Sequence, residues 1–244
     1  MNVSQIAINE IFTSIQGEGA LTGNLTMFVR TQGCKVGCIW CDTKDSWAHG
    51  EKATKLKRFN DKQIWWKSSD LCHYIAENSA HSTWVCFTGG EPFEQLKPII
   101  WIVEKLANFG YKKITVETAG HIFPDQKELI DLYSDNVFFS VSPKLPSALG
   151  KRFDKNELMF TCKFWDSNVT TPYRLQFKFV VSCLDDIDVM RETFKSFSTP
   201  HHLFLQMEES VVEDRKLINK ALKFIDEFPR FRMTIQQHKI LKIR

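Results

Sequence analysis

The chain has 244 residues, of which 43% are hydrophobic and 25% charged. That is enough apolar content for a sizeable core and too little charge bias for a disordered chain. A net charge of +3 is no nucleic-acid footprint. No stretch is long and apolar enough to span a bilayer, and the polar start with Asn2, Ser4 and Gln5 lacks the marks of a secretory signal. A cytoplasmic protein is the expectation.

Strand-like apolar runs fall at 26–30, 83–87, 113–117, 137–141, 175–181 and 202–206. Several are continuous and rich in Val, Ile and Phe, as in a parallel sheet covered by helices. Helical patterns alternate with them. One covers 68–78, with Ser68 or Ser69 as its cap. A second covers 94–109, with Ile99, Val103 and Leu106 on one face and Gly110 as its stop. Three more lie near 125–133, 185–197 and 212–228. Residues 44–67 are irregular and polar, interrupted by Trp47, Trp65 and Trp66, and read as a surface excursion. The alternation predicts one α/β domain over residues 1–244. About six parallel strands are too few for a closed eight-stranded barrel, so a partial, open TIM-type barrel is expected, with its site at the C-terminal strand ends.

Three of seven cysteines, Cys34, Cys38 and Cys41, crowd into eight residues directly after a strand. Thiolates spaced by four and three suit a compact loop wrapped around a 4Fe–4S cubane, which normally takes four cysteines. With three, one iron is open to a ligand from outside the protein. Structural zinc is the competing reading, but it uses four ligands, usually in paired units, and no second pair is present. Cys72, Cys86, Cys162 and Cys183 sit in apolar or helical patterns and read as buried or inert thiols.

Thr88-Gly89-Gly90-Glu91-Pro92 follows the second predicted strand, where glycines let the backbone approach a ligand closely. By itself such a pair is most often a plain turn. Ser142-Pro143-Lys144 ends the fourth strand, and Glu117-Thr118-Ala119-Gly120 ends the third. Both fall where barrel strands deliver site residues.

The loop Cys34-x-x-x-Cys38-x-x-Cys41 resembles that of radical S-adenosylmethionine enzymes. Gln16-Gly17-Glu18-Gly19, Arg30, the loop ending Cys41-Asp42-Thr43, Thr88 to Pro92, Ser142 to Lys144, Gln206 and Gln236-Gln237-His238-Lys239 stand in an order similar to that of 7-carboxy-7-deazaguanine synthases. This resemblance implies a cluster on Cys34, Cys38 and Cys41 whose fourth iron binds S-adenosylmethionine. Reduction would then release a 5′-deoxyadenosyl radical that takes hydrogen from C6 of a carboxytetrahydropterin, and ring contraction would expel ammonia. It also implies roles. Ile15, Gln16, Gly17, Arg30, Thr88 and the terminal carboxylate of Arg244 would bind the pterin. Trp40, Cys41, Asp42, Gly90, Ser142, Pro143, Lys144 and Gln206 would hold S-adenosylmethionine, and Thr43 would ligate Mg²⁺. The expected partners are an electron donor such as flavodoxin or ferredoxin and a second copy in a homodimer.

The chain departs from the family in places. Met207, Glu208 and Glu209 follow Gln206 where proline is common, and Ala119 replaces a polar residue. Without the resemblance, Arg30 also reads as an ion-pair residue, Thr43 as a turn hydroxyl and His238 as structural. Two rival functions fit the cysteines alone: a glycyl-radical activase, and a non-enzymatic iron–sulfur or zinc module.

Overall fold

The computed structural model describes residues 4–49, 64–134, 137–171 and 173–243. Among them nine strands form one sheet: β1 (Gln5–Ile15), β2 (Leu25–Thr31), β3 (Trp65–Lys67), β4 (Trp84–Gly89), β5 (Ile114–Thr118), β6 (Phe138–Val141), β7 (Leu175–Val181), β8 (His202–Met207) and β9 (Phe231–Thr234). Their order is β3-β1-β2-β4-β5-β6-β7-β8-β9. From β2 onward every neighbouring pair is parallel, while β1 pairs antiparallel with β2 and with β3. The sheet is therefore an open α/β barrel wall. The six predicted strands are present, and β9 extends the parallel run by a seventh that is too short to stand out in sequence.

Six helices pack on the outside: α1 (Ser68–Asn78), α2 (Leu96–Asn108), α3 (Gln126–Ser134), α4 (Lys155–Asn168), α5 (Leu184–Phe194) and α6 (Arg215–Glu227). In α2, Ile99, Ile102, Val103 and Leu106 are fully buried, each stabilising the fold by about 1.5–3 kcal/mol. Its end is as expected, with Gly110 at φ 93°, but residues 92–95 form a 3₁₀ turn ahead of it. In α1 the cap position belongs to Lys67, and Ser68 is already helical. The α4 helix was absent from the sequence reading. Asp154 caps it through a bond from the Asn156 N–H at 2.8 Å, and Leu158, Cys162 and Trp165 form its buried stripe. Exposed Phe160 and half-buried Phe164 on other faces blur that periodicity.

Two corrections concern the region 44–67. Its start is a 3₁₀ turn, Lys44–Trp47, and its end is β3, paired with β1. Residues 50–63 lie outside the described residues. Cys72, Cys86 and Cys162 are buried, whereas Cys183 is half-exposed at the start of α5. Among the described residues no helix is long and apolar enough to cross a membrane.

Alternation within the strands divides core from barrel interior. In β7, Leu175, Phe177, Phe179 and Val181 are fully buried in the hydrophobic core. Lys178 and Val180 face the inside cavity. One fully buried carboxylate, Asp186, knits the first turn of α5 to the loop after β6. It accepts from the backbone N–H groups of Ser147 at 3.0 Å, Ser182 at 2.9 Å and Cys183 at 3.3 Å. Removing it strands three donors, so Asp186→Ala should lower the unfolding free energy by about 3 kcal/mol. Urea denaturation measures this, and a loss within about 0.5 kcal/mol of zero would contradict it.

Candidate active site

The chain leaves β2 into the cysteine loop and returns along Lys44–Trp47. The Gly33 N–H donates to the Ser46 carbonyl at 2.7 Å and the Cys34 N–H to that of Trp47 at 3.3 Å. Neighbouring β4 ends in Gly89–Gly90, which lies against the same loop. There the Gly90 N–H donates to Thr31 O at 3.0 Å, and the Glu91 N–H to Gly33 O at 2.8 Å. Gly89 has φ 111°, a left-handed conformation that favours glycine. A Cβ on Gly90 would stand 2.1 Å from the Gly33 carbonyl oxygen, so no larger residue fits between the two loops.

Glu91 does not line the cavity. It is buried, accepting from the Thr118 hydroxyl at 2.7 Å, Ala119 N–H at 2.8 Å and Phe93 N–H at 3.1 Å. It fixes the end of β5 beside the site.

Cys34, Cys38 and Cys41 all line one cavity of about 310 Å³. Burial pushes the Cys34 thiol up to about 11, against the backbone N–H groups of Val36 and Gly37 that favour its thiolate. Burial also raises Cys38, with Lys144 pulling the other way. The Thr43 N–H donates to Cys41 Sγ at 3.4 Å, and the Thr43 hydroxyl lies 3.6 Å from that sulfur. Among the described residues no three His, Cys, Asp or Glu side chains converge closely enough for a single metal ion.

The opposite wall is polar and comes from adjacent strands in register. Arg30 is the Cα partner of Thr88, and Glu117 that of Ser140. Glu117 accepts from Gln16 Nε2 at 2.9 Å and from the Thr88 hydroxyl at 2.8 Å. Arg30 donates from Nε to Glu10 at 2.8 Å and lies over the Phe12 ring. It is thus both the ion-pair residue and a cavity residue. Below them Lys178 pairs with Glu18, which also accepts from Gln236 Nε2 at 2.7 Å. Burial would raise the Glu18 carboxyl, but the charge and hydrogen bond of Lys178, with Gln236, outweigh it and hold it at about 2. Burial would lower Lys178, and the Glu18 and Glu117 charges reverse this, so its pKa is raised.

The C-terminal tail lines one side of the cavity. The Gln237 N–H donates to Gly17 O at 3.1 Å, and His238 lies so near that a Cβ on Gly17 would come within 2.3 Å of Nδ1. Lys239 bridges Asp42 at 3.2 Å and Glu209 at 2.7 Å.

The sequence-derived residues fall as follows. Ile15, Gln16, Arg30, Trp40, Asp42, Thr43, Thr88, Gly90, Ser142, Lys144 and Gln206 line the cavity with the cysteines. Gly17 lies beneath His238 instead, Pro143 lines a smaller neighbouring hollow, and Arg244 is outside the described residues. Glu18, Phe12, Phe28, Ser140, Lys178 and Gln236 also line it, though none was given a role from sequence. For Lys178 the signal was available: a lone cation amid Leu175–Val181 alternates with the apolar residues. The site fits a ligand that offers a donor at this point, since the buried Gln206 Oε1 on its wall has no hydrogen-bond partner and such a group calls for one.

An open parallel barrel with a three-cysteine loop at its C-terminal strand ends defines the radical S-adenosylmethionine class. Residues 15–149 match the 4Fe-4S single cluster domain family. A 7-carboxy-7-deazaguanine synthase from Buchnera aphidicola is 30% identical over 97% of this chain and 98% of its own length. One from Escherichia coli K12 is 38% identical over 58% of this chain and 62% of its own. A crystal structure of QueE from Escherichia coli superimposes with TM-score 0.64 at 26% identity, covering 95% of this chain and 94% of that one. The chain belongs to the 7-carboxy-7-deazaguanine synthase family.

Replacing Lys178 leaves a buried carboxylate unpaired. Lys178→Met should cost about 3 kcal/mol at neutral pH, and adding Glu18→Gln should recover more than half. A Glu18 carboxyl held below its ordinary 4.5 stabilises the fold above that pH, and the gain is lost as pH falls toward about 2. In Lys178→Met burial, opposed chiefly by the Gln236 hydrogen bond, raises this carboxyl, so stability should fall with rising pH between 5 and 8. Denaturant titrations across that range would show it, and a flat profile would refute the pairing argument.

Proposed function

We propose that the chain converts 6-carboxy-5,6,7,8-tetrahydropterin to 7-carboxy-7-deazaguanine with loss of ammonia, a lyase step in queuosine and other deazapurine biosynthesis. The observation that carries this reading is a single cavity in which the cysteine loop faces Gln16, Arg30, Thr88 and Glu117. When bound, the cluster and S-adenosylmethionine supply a 5′-deoxyadenosyl radical, an abstractor of hydrogen atoms; the protein binds, orients and shields.

Cys34, Cys38 and Cys41 would hold the cluster. Trp40, Asp42, Gly90, Ser142, Lys144 and Gln206 would hold S-adenosylmethionine, with Pro143 shaping the turn between its neighbours. For the pterin, Arg30 offers a planar fork of donors suited to a carboxylate. Thr88, the backbone at Ile15–Gln16–Gly17, and the Glu18 and Glu117 carboxylates would meet the ring's polar edge. Support comes from the fixed carboxylates: Glu117 is oriented by two side chains and Glu18 by two others, so little reorganisation accompanies binding. Thr43 would give its hydroxyl to Mg²⁺. That hydroxyl lines the cavity without capping the following turn, and Mg²⁺ is typically held by few protein groups plus substrate.

Reduced thiols suit a cytoplasmic setting. A homodimer would cover the contiguous rings of Phe123, Phe160 and Phe164, of which Phe160 is 57% exposed.

Anaerobic incubation with the pterin, S-adenosylmethionine and a reductant, followed by mass spectrometry, tests the reaction; recovery of unchanged pterin from iron-replete protein would sink it. Cys38→Ala should prevent cluster assembly and product formation, and about four irons per chain in that variant would contradict the ligand set. Thr43→Ala should weaken the Mg²⁺ dependence of the rate severalfold, read as a shifted metal titration; an unshifted curve removes Thr43 from the metal.

A further inference from the structure

The turn between Cys34 and Cys38 is held from its outer side by charged groups that the cavity does not contain. At its start the Lys35 N–H donates to Glu94 Oε1 at 2.7 Å, and Glu94 Oε2 lies 2.5 Å from His49 Nε2. Further on, Arg152 donates from Nη1 to Val36 O at 2.6 Å and from Nη2 to Gly37 O at 2.5 Å. Arg152 ends the short 3₁₀ turn Gly150–Arg152 and stands 115 positions along the chain from Gly37. Among the described residues it forms no ion pair, although Asp154 and Glu157 line the same hollow. Both arms of its fork go to backbone carbonyls.

These outer bonds have a consequence on the inner side. A planar trans peptide points its C=O and its N–H in opposite directions. The Val36 carbonyl and the Gly37 N–H belong to one peptide, so drawing Val36 O outward onto Arg152 turns the Gly37 N–H inward. There the N–H groups of Val36 and Gly37 face the Cys34 sulfur. Gly37 is left-handed, with φ 61°, as where successive N–H groups converge on an anion. A Cβ on it would lie 3.7 Å from both terminal nitrogens of Arg152, so the guanidinium sits directly beside the turn. The same cation favours the thiolate of Cys38.

We propose that Arg152 is a positioning residue that raises the reduction potential of the cluster by aiming the Gly37 N–H at Cys34. The proposal rests on the cluster reading of the loop. Hydrogen bonds to the sulfurs are among the terms that set a cluster's potential, because they stabilise the reduced form, which carries one more negative charge. A carbonyl held by a guanidinium also polarises its own peptide, so the N–H on the far side becomes a stronger donor. A planar fork fixes two carbonyls in direction, whereas a lysine ammonium is a single point charge. Arg152 does not line the active-site cavity, so it reaches the thiols only through the loop and through its charge.

Redox titration of the anaerobically reconstituted protein, followed by EPR of the reduced cluster, tests this. Arg152→Met should move the reduction equilibrium about tenfold toward the oxidised cluster, a midpoint lowered by about 59 mV for one electron. Arg152→Lys keeps the charge and loses the fork, so it should restore less than half of that shift. Lys151→Met removes the adjacent exposed cation and should leave the midpoint in place. In the electron–nuclear double resonance spectrum of the wild type, exchange into D₂O should remove a proton coupling that Arg152→Met lacks. Iron-replete Arg152→Met with the wild-type midpoint, an equal shift in Lys151→Met, or full restoration by Arg152→Lys would each overturn the proposal. If Arg152→Met loses its iron, the midpoint of Arg152→Lys decides alone. A wild-type protein that takes up no four-iron cluster counts against the cluster reading, whereas an unshifted midpoint in cluster-bearing variants counts against Arg152 only.

Discussion

Two loops from neighbouring parallel strands share one backbone seam, and the site is organised around it. Gly33 and Gly90 touch through peptide groups, with bonds from Gly90 N–H to Thr31 and from Glu91 N–H to Gly33. Parallel pairing of β2 with β4 puts the cysteine loop and the glycine turn at the same end of the sheet. The seam then fixes the thiols relative to the strand ends that carry Thr88 and Glu117. Glu91 extends this bracing to β5, so three strand ends are tied to one another.

A second organising element is electrostatic. The barrel interior holds Glu18, Lys178, Glu117 and Arg30 where a purely structural barrel would place apolar layers. Buried charges are costly unless paired and hydrogen-bonded. Here each carboxylate has identified donors, so the interior keeps fixed polarity at the expense of some stability. Such sites trade stability for chemistry.

Much of this was legible in the sequence. Continuous Val, Ile and Phe runs located six strands, since a strand covered on its outer side by helices announces itself by composition. The spacing of Cys34, Cys38 and Cys41 and the order of the motifs picked out residues most of which the fold gathers around one cavity. Three kinds of feature were hidden. The α4 helix was masked by Phe160 and Phe164 outside its buried stripe. The antiparallel strand β1 and the short strands β3 and β9 were not among the predicted strands, and β3 and β9 carry too few residues to show a period. Lys178 and Glu18 acquire meaning only as a pair, and 160 positions separate them. Glu91, a motif residue given no role from sequence, is spent on holding β5.

The bond from Gln236 to Glu18 spans 218 positions. A ribosome adding about 5–20 residues per second makes the tail roughly 10 to 45 s after the Gln16–Glu18 segment. During that interval the thiol loop has emerged but its last wall has not.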